Sequence, residues 1–216
     1  FIAWTLLQMG VPIWPAILIT VAASFIGGLL LERLVVRPFA QSDDLVVVAV
    51  FVGLFLGIHS LAGAIWNYEV KPFPSAFSDG SIKLMENLSI RAHTLGSLLM
   101  TCAVLAAAAD NQESSRLVGI NVSFMLALGW GLAAGIGAIA GVMIAPVTFL
   151  DPGIGLAPLI FALAGALLGG ITSPFGAALG GLIVGVLEAM ISAYVPYGIE
   201  FRELIALMLI MSVLLV

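Results

Sequence analysis

Charged residues are so sparse along this 216-residue chain that the uncharged runs between them define its elements. Residues 1–31 carry no charge, and runs of 34 and 36 uncharged residues separate Arg116 from Asp151 and Asp151 from Glu188. A bilayer core of ~30 Å needs ~20 apolar residues as a helix. Segmenting by uncharged length and turn residues predicts spans over about 14–31, 45–64, 92–109, 122–147, 156–170, 176–195 and 204–216. The run at 156–170 is short and reads as a tilted, half-length or partly buried helix. Between the spans lie polar stretches: 32–44 (ERLVVRPFAQSDD), 67–87 with Pro72, Pro74 and Gly80 arguing for a loop, and 110–121 (DNQESSRLVGIN). Turns are predicted at 10–15 (GVPIWP), 151–155, 172–176 and 195–203.

Composition sharpens this picture. Hydrophobic residues make up 62% of the chain and charged residues 9%, against about 25% charged in a soluble domain. The mean hydropathy is +1.23. Too little polar surface exists to cover a water-facing globule, which excludes a cytosolic enzyme, a disordered chain and a disulfide scaffold. The runs are continuous and rich in Ala, Leu and Gly, unlike the alternating ~10-residue stretches of a membrane barrel. The predicted fold is an all-α polytopic transmembrane bundle of six to seven spans, forming one domain over 1–216. A net charge of −5 with no Lys/Arg cluster offers nothing to nucleic acid. The single cysteine, Cys102, sits in an apolar run as a small packing residue and can form neither an intramolecular disulfide nor a zinc site. Phe1 at the start and an apolar run up to Val216 read as a chain incomplete at both ends.

The second half holds 16 of the 24 glycines. Five pairs are spaced four apart: Gly131/Gly135, Gly137/Gly141, Gly165/Gly169, Gly176/Gly180 and Gly181/Gly185. Each pair lies on one helix face, where the missing Cβ atoms let neighbouring backbones approach closely, and packing replaces the hydrophobic drive that lipid removes. Charge does not orient the chain, since the segments 32–44 and 110–121 hold Arg33, Arg37 and Arg116 while the other loops hold Lys71, Lys83, Arg91 and Arg202.

Catalytic chemistry is not visible. The sequence has no zinc-spaced His/Glu pair, no phosphate-binding loop and no nucleophile elbow. His59 and His93, far apart in apolar stretches, read as hydrogen-bonded packing residues, and no metal or other cofactor is expected in the chain. Two features depart from the apolar background. Glu188 interrupts an otherwise uncharged predicted helix. Because a carboxylate in hydrocarbon costs several kcal/mol, it either faces a translocation path or locks helices by a hydrogen bond, or it sits wet near the interface. The stretch 110–121, with Glu113, Ser114, Ser115 and Gly119, reads either as a short surface helix that docks a soluble partner or as a solvated loop.

Several stretches taken together resemble the permease subunits of bacterial ABC importers for branched-chain amino acids. They are LLLERLVVRPF (29–39), ADNQESSRLVGIN (109–121), AGVMIAP (140–146), ALAGALLGGITSPFGAALGGLIVGVLEA (162–189) and YVPYGIEFRELI (194–205). The resemblance implies a subunit of the bacterial inner membrane that pairs with a second permease subunit. It further implies two ABC ATPase subunits, which bind ATP and Mg, and a periplasmic amino-acid-binding protein that delivers substrate to loops such as 65–90, 148–155 and 195–203. It also implies a coupling element whose EAA-x-x-x-G motif falls on Glu113, Ser114, Ser115 and Gly119, with serines in place of both alanines. A basic run usual in that family is absent near Ala106 to Ala109. A proton-coupled secondary transporter using Glu188 is the alternative.

Overall fold

A computed structural model describes residues 1–40, 42–77, 80–85, 88–109, 122–170, 173–194 and 198–214. The helices are α1 (Ile2–Gln8), α2 (Ile13–Leu31), α3 (Arg37–Phe39), α4 (Asp44–Trp66), α5 (Ala92–Ala109), α6 (Val122–Thr148), α7 (Leu156–Gly169), α8 (Pro174–Tyr194) and α9 (Gly198–Leu214). A π-helical turn, Glu32–Val36, joins α2 to α3 without a break. Among the described residues, four helical stretches are long and apolar enough to cross a bilayer: Ile13–Phe39, Leu45–Trp66, Ser123–Thr148 and Pro174–Tyr194. This agrees with the predicted polytopic helical membrane fold, in which α5, α7 and α9 are the shorter or less apolar helices. With 14 residues, α7 is about 21 Å long at ~1.5 Å per residue. The 17-residue α9 starts at Gly198 and includes Glu200, Arg202 and Glu203, which charge its first turns.

Two departures from the sequence reading concern the polar segments. The helix predicted to stop at Leu31 runs on to Phe39, reaching about 40 Å at ~1.5 Å per residue and so extending past the ~30 Å hydrocarbon core. Part of the predicted loop 67–87 folds as an antiparallel hairpin, β1 (Ser81–Met85) against β2 (Leu88–Arg91), with Ile82 opposite Ile90. Its Ser and Ile residues alternate as a strand requires, which Pro72 and Pro74 upstream do not prevent.

The chain divides into two compact units. The first comprises Phe1–Leu99 and Ser115–Gly153, and its centre is the packing of α2 on α6. A Cβ at Gly28 would meet the Trp130 carbonyl oxygen at 2.5 Å and the Ala134 Cβ at 2.8 Å. In return, a Cβ at Gly131 would press on Phe25 and Leu29, and one at Gly135 would touch Val21. These positions recur every three or four residues on both helices, so each contributes one stripe. Thr20, buried, donates its hydroxyl to the Ala16 carbonyl at 2.7 Å and needs no other partner. By contrast α4 buries only Gly63 among its described residues and turns Leu45, Val52, Leu56 and Leu61 outward, as a lipid-facing helix does.

The second unit comprises Met100–Ser114 and Ile154–Val216. Here α7 and α8 pack backbone to backbone. A Cβ at Gly165 would meet the Gly181 Cα at 2.5 Å, a Cβ at Gly169 would strike the Gly176 carbonyl, and a Cβ at Gly180 would strike the Gly165 carbonyl. Ser173 starts α8 as its N-cap, its Oγ accepting the Gly176 N–H at 3.1 Å, with Pro174 in the first helical position. Cys102 of α5 is exposed.

At the end of α2, Glu32 is 3% exposed and held by Arg37 in a two-pronged ion pair, Nε to Oε1 at 3.1 Å and Nη2 to Oε2 at 2.8 Å. Arg37 Nη2 also donates to the Ser123 carbonyl in the first turn of α6 at 2.9 Å. Glutamate and arginine five apart do not face each other on an α-helix. The π-turn, whose backbone bonds run from residue i to i+5, brings them onto one face.

Two substitutions test this account. Arg37→Met leaves Glu32 buried without its cation; because the Arg37 side chain is 39% exposed, the cost falls below that of a fully buried pair, about 2 kcal/mol. A lowered melting temperature in detergent should report it, and Glu32→Gln in the same chain should recover most of the loss. Gly180→Ala should also lower the melting temperature, because its Cβ strikes backbone that no rotamer change relieves. Gly185→Ala meets nothing within 4 Å and should hold or raise stability by up to ~1 kcal/mol through helix propensity.

Candidate functional site

Three groups of residues outside the plain apolar packing bear on function. At one end of the first unit lies the Glu32–Arg37 pair with the Ser123 carbonyl. The opposite end of that unit is tied by backbone and ring contacts. Lys71 and Leu150 exchange two backbone hydrogen bonds of 2.8 and 2.9 Å, and the Lys71 ammonium lies 5.0 Å over the Trp4 ring. Trp66 Nε1 donates to Thr5 Oγ1 at 2.7 Å. Both histidines sit in this region. His59 Nδ1 lies 3.1 Å from the Pro152 carbonyl. His93, buried, directs Nε2 at the Met143 carbonyl at 2.9 Å and Nδ1 at the Ser75 hydroxyl at 2.9 Å. A carbonyl only accepts, so Nε2 carries the proton, and in the neutral ring Ser75 donates to Nδ1. These are structural ties between loops and helices.

The contacts fix how the helices of this unit run. α2 ends beside the start of α6 through Arg37 and Ser123, while α4 and α6 both end among the Lys71, Leu150 and Pro152 contacts. The first residues of α6 therefore lie at the same end as Glu32 and Arg37. Glu113, Ser114, Ser115 and Gly119, the predicted coupling residues, lie outside the described residues.

Glu188 falls in the second unit. It lines a cavity of about 190 Å³ together with Phe161 of α7, with Val184, Leu187 and Ile191 of α8, and with Ile205, Ala206 and Leu209 of α9. On α8 the lining positions are spaced three and four apart, so Glu188 stands on the same stripe as the aliphatic residues, and the cavity surface is almost entirely apolar. Half-buried, it lies six residues before Tyr194, about 9 Å from the helix end at ~1.5 Å per residue. Val184 and Ala206 are buried at 4% and 3% exposure and form its closed side.

Of the ten predicted packing glycines, Gly131 and Gly135 face α2, and Gly165, Gly169, Gly176 and Gly180 lie in the α7–α8 contact. A Cβ at Gly137, Gly141, Gly181 or Gly185 would meet nothing within 4 Å among the described residues. Sequence reasoning missed the Glu32–Arg37 pair, treating both as loop residues; an acid and a base five apart at the end of an apolar run was the available signal. Among the described residues no three His, Cys, Asp or Glu side chains gather as a metal site.

Comparison with known proteins supplies the context. A family model described as the permease component of the branched-chain amino acid transport system matches residues 1–214. The high-affinity branched-chain amino acid transport system permease proteins LivH of Salmonella typhimurium and Escherichia coli are 29% and 28% identical over 224 residues, covering 91% of this chain and 72% of their own length. BraD of Pseudomonas aeruginosa, named in the same terms, is 29% identical over 241 residues, covering all of this chain and 78% of its own. No solved structure matches. These relatives are transport components and not enzymes, and they lend no support to the proton-coupled carrier that the sequence left open. With matching apolar spans and a match along almost its whole length, this multi-pass membrane chain belongs to the family of branched-chain amino acid transport system permease components.

Proposed function

We propose that the chain is the transmembrane subunit of an ATP-driven importer that carries branched-chain amino acids across the bacterial inner membrane. The observation that carries this reading is the family match over residues 1–214. In this reading a second permease subunit completes the pathway, two separate ATPase subunits bind ATP and Mg, and a periplasmic binding protein presents the amino acid. The chain itself performs no covalent chemistry. Its part is to hold two arrangements of one bundle close enough in free energy, within a few kcal/mol, for a partner to bias them.

The coupling contact falls on 110–121, with the Glu113 carboxylate as a polar contact, Ser114 and Ser115 as small neighbours, and Gly119 as the turn. Support comes from the match to the EAA-x-x-x-G spacing and from the start of α6. Residue 121 is bonded to Val122, and the α6 N-terminus shares its end of the unit with Arg37. A push on 110–121 would therefore enter α6 next to a buried ion pair rather than through a free linker. The glycines of the α2–α6 and α7–α8 contacts support the same reading, because interfaces built on small residues slide with little side-chain repacking. Glu188, on α8, belongs to the translocation path.

Purification in mild detergent should recover this chain with two ATPase chains and a second permease; recovery of the chain alone would count against the importer. Within the assembled complex, Gly119→Trp should leave assembly intact yet uncouple ATP hydrolysis from amino-acid uptake, so that ATP-driven uptake is lost. Normal ATP-driven uptake by that variant would remove 110–121 from the coupling role.

A further inference from the structure

We infer that Arg37 is a positioning residue for transport: clamped onto Glu32 and bonded to the Ser123 carbonyl, it ties the end of α2 to the start of α6, so that both helices move together when a partner ATPase drives the start of α6. This rests on the importer reading above and adds how force entering α6 is shared with the rest of the first unit.

Stability alone does not call for this pair. The 19 residues of α2 span about 28 Å at ~1.5 Å per residue, so the turn after it begins about where a ~30 Å hydrocarbon core ends. A charged residue at that depth can face water, as the exposed Arg33 does. Glu32 is instead turned inward and buried. A buried ion pair is often no more stabilising than apolar side chains of the same volume. What it adds is direction, because a two-pronged bond holds both groups in one geometry.

Pair and backbone hold each other. Glu32 and Arg37 would stand about 140° apart around an α-helix of 3.6 residues per turn, and the π turn Glu32–Val36 brings them together. Without the pair, the turn is free to return to α-helical winding, which swings the guanidinium away from Ser123. Arg37 Nη2 makes both ties, to Glu32 Oε2 at 2.8 Å and to the Ser123 carbonyl at 2.9 Å. One nitrogen with two N–H donors thus links the acid at the end of α2 to the backbone of α6.

The rest of the α2–α6 contact explains why a tie is needed there. Gly28 sits against the Trp130 carbonyl, and Gly131 and Gly135 sit against Phe25, Leu29 and Val21. Close packing on glycine resists separation and leaves little to oppose one helix sliding along the other. A push along α6 would therefore shift it past α2. The Arg37 bond to Ser123, in the first turn of α6, blocks that slip at the point of entry.

The test is the number of amino acids taken up per ATP hydrolysed by the whole complex in proteoliposomes, with the binding protein saturated. Glu32→Gln combined with Arg37→Met removes both charges, and the tie to Ser123 with them. This double variant should assemble and hydrolyse ATP, yet its uptake per ATP should fall about fivefold or more, the lower end of the range for coupling between distant sites. Should it fail to assemble, Glu32→Asp, which shortens the acid by one methylene and draws the guanidinium off the Ser123 carbonyl, should lower the same ratio by a smaller factor. An unchanged ratio would overturn the clamp, whether hydrolysis and uptake both stay normal or fall in parallel. A parallel fall is what a merely structural pair gives, since it reduces the amount of working complex and not its coupling. Gly119→Trp separates the two readings. If it uncouples and the Glu32 and Arg37 variants do not, the clamp alone fails; if they uncouple and Gly119→Trp does not, the clamp stands and 110–121 loses its role. A wild-type complex without ATP-dependent uptake would remove the importer reading, and the clamp with it.

Discussion

Inside lipid, helices gain nothing by hiding apolar surface from one another, because the surrounding chains are equally apolar. Everything that holds this protein together has to come from close approach and from polar groups satisfied within the protein. The α7–α8 contact shows the first device in its strongest form: Gly165, Gly169, Gly176 and Gly180 bring the two backbones so near that no side chain fits between them. The Glu32–Arg37 pair shows the second, since a buried carboxylate there is tolerable only with its cation and with the Ser123 carbonyl completing the arginine's bonds.

These devices differ in what they permit. Glycine-lined backbone contact is short-ranged and made mostly of dispersion, so it resists separation yet offers few interlocking side chains to oppose sliding. A two-pronged ion pair fixes direction as well as distance. The chain uses the directional tie at the end of α2 and the start of α6, and the smooth contact along α7 and α8.

The spans were legible because charge and helix length leave little choice in a bilayer. The predicted boundaries at 45–64, 92–109, 122–147 and 156–170 lie within a few residues of α4, α5, α6 and α7. What escaped was set by contacts between distant segments or by an uncommon backbone. The hairpin at Ser81–Met85 and Leu88–Arg91 lies in a polar stretch whose prolines dominate the local signal. Glu32 and Arg37 are five apart, a spacing that means nothing until the backbone becomes π-helical. Glu188 stood out at once as an acid in an apolar run, but the cavity around it needed residues from α7 and α9, which are not adjacent to it in sequence.

That contrast bears on how such a chain acquires specificity. A permease without catalytic groups can still discriminate if one of its lipid-embedded contacts is imperfect in a useful way. Along α8 the glycines that approach α7 occupy the first part of the helix, and the same helix carries Val184, Leu187, Glu188 and Ile191 further on. Tight packing at the start of α8 sets its position against α7, and further along Val184, Leu187 and Ile191 line a void with Phe161 of α7. Its walls are almost entirely apolar, so shape rather than charge sets what can occupy it.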